Sequence, residues 1–234
     1  MTAPEGHGGP PGDPGPVPGA RLLALVEVMD RLRAECPWDA KQTHQSLAPY
    51  LAEETYEALE ALDSGDPDAV REELGDVLLQ VVFHARVAAE RDDGTGYTID
   101  DVADSIIGKL TRRHPHVFGD VTVSGADEVT SNWDAIKAAE RQAAGGGPGS
   151  ALDGVPLGQP ALSLAAALQQ RAGRAGAPEE LAGTGDGTGG VSEIGAELFA
   201  LVARARAAGL DPERELRLAA RAYRDQVRSW EAGE

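Results

Sequence analysis

The 234-residue chain sets 39 Asp plus Glu against 21 Lys plus Arg, and its formal net charge of −18 repels nucleic-acid backbones and anionic membranes. Its length allows one large domain or two small ones, and its single cysteine, Cys36, excludes an intramolecular disulfide and has no zinc-ligand spacing around it. Aromatic residues are scarce at 4% and alanine is abundant, a composition that suits closely packed helices, so the expected fold class is all-α.

Residues 1–20 are rich in Pro and Gly, contain no Lys or Arg before Arg21 and hold no apolar run, which reads as a disordered tail rather than a targeting signal. No run of 18 apolar residues occurs, so no spanning helix is expected and cytoplasmic residence follows as the default. From Arg21 to Glu35, Leu22, Leu25, Val26, Met29 and Leu32 recur at helical spacing, and Cys36-Pro37-Trp38-Asp39 ends the pattern. A second helix is predicted from about Leu47 to Leu62, with Pro49 tolerated because it falls in the first turn. After Asp63-Ser64-Gly65, Asp66 reads as N-cap and Pro67 as the first position of a third helix reaching about Glu90. So short a turn makes the two an antiparallel hairpin. Within the third helix VLLQVVF, Val77 to Phe83, is apolar on nearly every side and predicts burial on both faces, which needs cover from the C-terminal half or a second subunit.

Thr98 with Asp101 forms an acidic variant of a capping box for a fourth helix, Ile99 to Arg113, which His114-Pro115 closes. A further helix spans about 127 to 142 and carries Trp133 and Lys137. Residues 143–160 then read as a linker between a catalytic domain, 21–142, and a second part, 161–234. That second part is expected to hold helices from about Leu162 to Arg171, Val191 to Ala208, and Asp211 to Trp230. It looks like a shortened repeat. Glu193 to Arg206 aligns with Glu73 to Arg86 at the apolar positions, yet Ala196 stands opposite Asp76 and no EExxE precedes it.

The first half concentrates acids. Glu53, Glu54 and Glu57 share a sector of the second helix, and Glu73 and Asp76 share one on the third. Counted from the turn, Glu57 and Glu73 lie about eight residues away, and Glu53 and Asp76 about eleven or twelve, so antiparallel packing brings them to matching heights. Acidic helix faces are commonly just solvated. Here the acids flank an apolar stripe and no Lys or Arg within the second helix offsets them, which favours a Mg²⁺ site, with Mn²⁺ as an alternative ion. A basic complement follows in Lys109, Arg112, Arg113, His114 and His116, of which Lys109 and Arg113 are four apart on one face. In the repeat, Ala222 and Gln226 replace that pair. Trp133 and Lys137 are also four apart, a spacing that would let Trp stack on a base and Lys meet a phosphate, although an aromatic on an amphipathic helix is more often core.

Three segments, CPWDAKQTHQSLAPYLAEETYEALEAL, REELGDVLLQVVFHA and KLTRRHPHVFGD followed by NWDAIKAAER, resemble the MazG family of nucleoside triphosphate pyrophosphohydrolases over about residues 21 to 142. The resemblance implies an all-α, Mg²⁺-dependent enzyme in a homodimer that cleaves between the α- and β-phosphates of nucleoside triphosphates in nucleotide house-cleaning. It implies metal and catalytic roles for Glu53, Glu54, Glu57, Glu73 and Asp76, and substrate contacts for Lys109, Arg113, Trp133 and Lys137. The chain departs from two-domain members because its second half lacks the EExxE and looks like a non-catalytic remnant. The alternatives are an enzyme narrow for one modified nucleotide and a non-catalytic helical dimerisation or regulatory module.

Overall fold

The computed structural model describes residues 19–143, 149–178, 190 and 192–233. Most of the expected tail, part of the expected linker, and residues 179–189 and 191 of the second part lie outside these residues. Helices α1 (Ala20–Glu35), α2 (His44–Ser64), α3 (Pro67–Ala88), α4 (Ile99–Arg113), α5 (Pro115–Phe118), α6 (Ala126–Ala143), α7 (Ala161–Arg174), α8 (Glu193–Ala207) and α9 (Pro212–Ala232) make up the architecture, with one 3₁₀ turn at Asp39–Lys41. The described residues are all-α. They divide into two compact units, one ending at Lys137 and the other beginning at Ala138, so the division falls inside α6.

In the first unit α2 and α3 form an antiparallel hairpin, α1 packs on α3, and α4 returns along α3. The core is Met29 from α1, Leu47 from α2, and Val82 and Phe83 from α3, with Leu25, Val26, Leu78, Leu79, Val87 and Ile99 packed around it. The expected start of α2 is three residues too late. A capping box between Thr43 and Ser46 opens the helix at His44, which puts Pro49 in its second turn. The position tolerates proline because the carbonyl it leaves unpaired belongs to Gln45, an exposed residue with access to water.

VLLQVVF is covered less completely than its composition suggests. Gln80, Val82 and Phe83 are buried, but Val81 and, two turns earlier, Leu74 remain exposed. The expected cap at α4 is present, with Thr98 Oγ1 accepting from Asp101 N and Thr98 N donating to Asp101 Oδ2 at 2.7 Å.

Arg33 ties three elements together. Its side chain is only 9% exposed, and it donates to the Asp39 and Gln42 carbonyls while pairing with both Glu90 carboxylate oxygens at 2.8 Å. The end of α1, the 3₁₀ turn and the end of α3 are thereby fixed to one another.

In the second unit α7, α8 and α9 pack pairwise. Val202 of α8 is buried, as is Val82 at the aligned position of α3. Gln169 Nε2 donates to the Phe199 carbonyl at 2.8 Å, joining α7 to α8.

Candidate active site

The turn between α2 and α3 sets the register of the acids. Gly65, at φ 73°, ends α2 in the left-handed conformation that glycine adopts without a steric penalty. Asp66 caps the next helix by accepting from Asp68 N at 2.9 Å, and Pro67 fills the position where no amide partner exists. Both helices of the hairpin therefore start from a fixed point, and residues equally distant from it come level.

Glu54, Glu57 and Glu73 each present a carboxylate oxygen, and the three oxygens lie within 4.8 Å of one another. Among the charges acting on Glu73, Glu57 is the strongest; among those acting on Glu54, Asp76 is the strongest. Those pairs follow the heights along the hairpin. At the upper level Glu54 takes the place expected for Glu53, which is exposed and lies outside the triad. Asp76 is half-buried beside it and completes the charged cluster without joining the converging oxygens.

Burial, then the neighbouring carboxylates, raise the Glu54 pKa above its ordinary value, and Glu57 adds a shared hydrogen bond. Glu73 is raised by partial desolvation and by Glu57, Asp76 and Glu72. Every charged group acting on these two acids is itself acidic. An oxygen-only donor set that repels itself is the chemistry of a hard divalent cation site, and the triad fits one. Raised folded pKa values mean that the folded chain binds protons more tightly than the unfolded one. These two acids thus favour folding at pH below the ordinary carboxylate range, and that contribution is lost as pH rises through their folded values.

Lys109 and Arg113 are half-buried on α4, and neither is among the groups that shift Glu54 or Glu73. Trp133 and Lys137 on α6 engage each other, with Lys137 Nζ 3.8 Å from the Trp133 ring centroid. His114 lies beside that ring at 6.3 Å between centroids and 5.6 Å from His116, and its Nδ1 bonds the Leu110 carbonyl at 2.7 Å. The pair from α6 is thus joined to the end of α4 through His114.

Sequence reasoning missed one polar group. His44 and His84 stack with rings nearly parallel, at 3°, and their Nδ1 atoms are 2.8 Å apart. Burial, followed by the charge of His44, lowers the pKa of His84. His84 Nε2 and Gln80 Oε1 are both buried without a hydrogen-bond partner. The signal was present: Glu73, Asp76, Gln80 and His84 follow one stripe of α3 through an otherwise apolar segment.

Residues 42–118 match the model of the MazG nucleotide pyrophosphohydrolase domain. An uncharacterized 26.1 kDa protein of Streptomyces cacaoi is 50% identical over 92% of this chain and 84% of its own length. A nucleoside triphosphate pyrophosphohydrolase of Mycolicibacterium smegmatis is 43% identical over 94% of this chain, which spans only 62% of that relative. The nucleoside triphosphate pyrophosphohydrolase/pyrophosphatase MazG of Thermotoga maritima is 41% identical over 88% of this chain and 84% of its own length. The chain belongs to the MazG family. The segment matching the MazG domain holds all five acids together with Lys109, Arg113 and the His44–His84 pair, whereas Trp133, Lys137 and the second unit lie outside it.

Proposed function

We propose that this MazG chain hydrolyses nucleoside triphosphates, ribo and deoxy, to a nucleoside monophosphate and pyrophosphate in a Mg²⁺-dependent reaction, with Mn²⁺ as an alternative ion. The observation that carries this reading is the convergence of Glu54, Glu57 and Glu73 oxygens within 4.8 Å in a chain of that family. Glu54, Glu57 and Glu73, with Asp76 and Glu53 beside them, would hold the cation. A bound divalent ion supplies neutralisation of the polyphosphate and a water of lowered pKa. One acid of the cluster would take up the proton of the attacking water as the water oxygen bonds the α-phosphorus and the bond from the α-phosphorus to the bridging oxygen breaks, that oxygen leaving with pyrophosphate. Lys109 and Arg113 meet the negative charge that gathers on the departing pyrophosphate, and Trp133 with Lys137 supplies a further substrate contact.

Residues 21–142 form the catalytic part and 161–234 a non-catalytic remnant of the same fold. Ala196, opposite Asp76, cannot bind a cation, and Ala222 and Gln226 cannot replace the basic pair. The enzyme works as a homodimer on cytoplasmic nucleotide pools, in a house-cleaning role. A net charge of −18 disfavours nucleic acid as a partner, and among the described residues no helix is long and apolar enough to cross a membrane.

Pyrophosphate release from ATP, GTP, CTP, UTP and their deoxy forms, with and without Mg²⁺, tests the reading. We expect release from all of them only with the metal, and a loss of at least about a hundredfold in a Glu57→Ala, Asp76→Ala double variant. Wild-type rates in that variant would defeat the assignment. Turnover of a single nucleotide would favour the narrow-specificity enzyme instead.

A further inference from the structure

His44 is the first residue of α2 and His84 lies near the end of α3, so their contact joins the two helices at the end of the hairpin opposite the turn. Glu54, Glu57, Glu73 and Asp76 lie along the chain between these two fastenings. The Nδ1 atoms are 2.8 Å apart, and the ring centres, at 5.1 Å, are about as far apart as two imidazoles touching through those atoms can be. Both nitrogens therefore lie on the line between the rings, each aimed at the other, which is the geometry of one N–H···N hydrogen bond.

That bond has room for one hydrogen. In the neutral pair one ring donates from Nδ1 and the other accepts there. A first added proton goes to Nε2 of the donating ring and leaves the bond intact. A second puts a hydrogen on both Nδ1 atoms, which then face each other as two donors with no acceptor, so the contact must break. Two further features favour release. His44 opens α2, where the helix dipole disfavours a cation, and His84 Nε2 is buried without a protein partner. His84 also borders a cavity of about 310 Å³, lined with it by Leu51, Val81, Ala85, Tyr97 and Val102. A released ring has that space to turn into without disturbing the core of Met29, Leu47, Val82 and Phe83.

The other ionisable groups on the surrounding elements are paired or exposed. Asp30 of α1 pairs with Arg86 of α3 at 2.7 Å, Arg33 of α1 pairs with Glu90 at 2.8 Å, Asp101 is bound in the α4 cap, and Lys41 and Tyr97 are exposed. Among the described residues, the charge that acts on His84 is that of His44.

We propose that the His44–His84 pair is an acid-sensitive clasp: with at most one added proton it holds the open end of the α2–α3 hairpin, and a second proton releases it and loosens the two helices that carry the acids. Both histidines are positioning residues, and the inference stands whether or not the chain hydrolyses nucleotides. Hydrogen exchange in the full chain without Mg²⁺, corrected for the intrinsic pH dependence of exchange, tests it. From about pH 7.5 to about pH 5.5 the opening constant of residues 47–51 and 84–88 is expected to rise at least tenfold, since one extra proton bound by the open form is worth up to about tenfold per pH unit. Residues 58–61, beside the turn, are the reference and are expected to stay unchanged. The double variant His44→Asn, His84→Asn keeps a donor and an acceptor near the two Nδ1 positions but takes up no proton, and it is expected to stay closed at both pH values. His44→Leu leaves His84 Nδ1 without its partner and is expected to be open already at the higher pH. A flat wild-type profile overturns the clasp. So does an equal rise at residues 58–61, the mark of whole-hairpin unfolding, or an acid response that persists in the folded double variant. Should that variant fail to fold, the wild-type profile and His44→Leu still decide.

Discussion

Glu54 and Glu73 keep their protons to higher pH in the folded chain than in water because each is partly desolvated among other acids. Glu54→Gln removes one of those charges while preserving the shape of the side chain. In the absence of metal the variant is expected to melt at a higher temperature than wild type, because a repulsion has gone. In the presence of Mg²⁺ the order is expected to reverse, since wild type gains stability from binding and the variant has lost a ligand. The Mg²⁺-dependent rise in wild-type Tm should be larger at pH 8 than at pH 5, where the cation must displace protons from the raised acids. Thermal melts at both pH values check this. A Glu54→Gln variant that responds to Mg²⁺ as wild type does would remove Glu54 from the metal site. His84 has the opposite sign: its folded pKa is lowered, so its contribution to stability is present above the ordinary histidine value of 6.5 and is lost as pH falls below it.

At the scale of elements, the carboxylates owe their alignment to contacts made elsewhere. The hairpin turn fixes where α2 and α3 begin, and Arg33 anchors the far end of α3 to α1 through Glu90, with Asp30 and Arg86 paired alongside at 2.7 Å. Truncating Arg33 leaves the Gln42 carbonyl without its donor, the Asp39 carbonyl with only the Gln42 N–H, and Glu90 without its main counter-charge. Arg33→Ala is expected to cost about 2 to 3 kcal/mol, somewhat under the usual ~3–5 for a broken buried pair because Glu90 reaches solvent. A chemical denaturation curve measures it. Arg33→Lys should recover only part of the loss, since an ammonium cannot serve two carbonyls and a carboxylate with a planar fork. Helix limits at this scale follow closely from local chemistry: Asp66-Pro67, Thr98 with Asp101, and Asp211-Pro212 start α3, α4 and α9 where their caps demand. The start of α2 was harder to read. Its capping box uses Ser46 as the returning side chain, and Pro49 beyond it argues locally for a later beginning.

At the scale of the molecule, much apolar surface stays open in the first unit. Ile106, Ile107 and Leu110 on α4 are exposed, Ile107 by 57%, and α4 contains no buried residue despite its strong helical patterning. Val81 and Leu74 of α3 are open as well. A proposed homodimer covers such surface. Light scattering should then report twice the 24.4 kDa mass of the chain, and Ile107→Glu should shift the protein toward monomer by placing a charge where apolar contact is needed. A monomeric wild type at micromolar concentration would leave that surface without its proposed partner.

The sequence by itself determined the all-α class and nearly every helix, because periodicity and capping act over a few residues and need no distant partner. It also brought Glu57 level with Glu73, since helical rise converts a count from the turn into a height. Rotation about each helix axis is another matter. Whether Glu53 or Glu54 turns toward α3, and whether Lys109 and Arg113 come near the acids, depends on how whole helices pack, and that is set by contacts among Met29, Leu47, Val82 and Phe83. Tertiary structure likewise decided that His44 and His84, forty positions apart, would share a hydrogen, leaving a buried nitrogen without a partner. Hydrogen bonds between distant residues follow from the packing of the chain around them, so the polar stripe of α3 marks His84 in the sequence while its partner is set by packing alone.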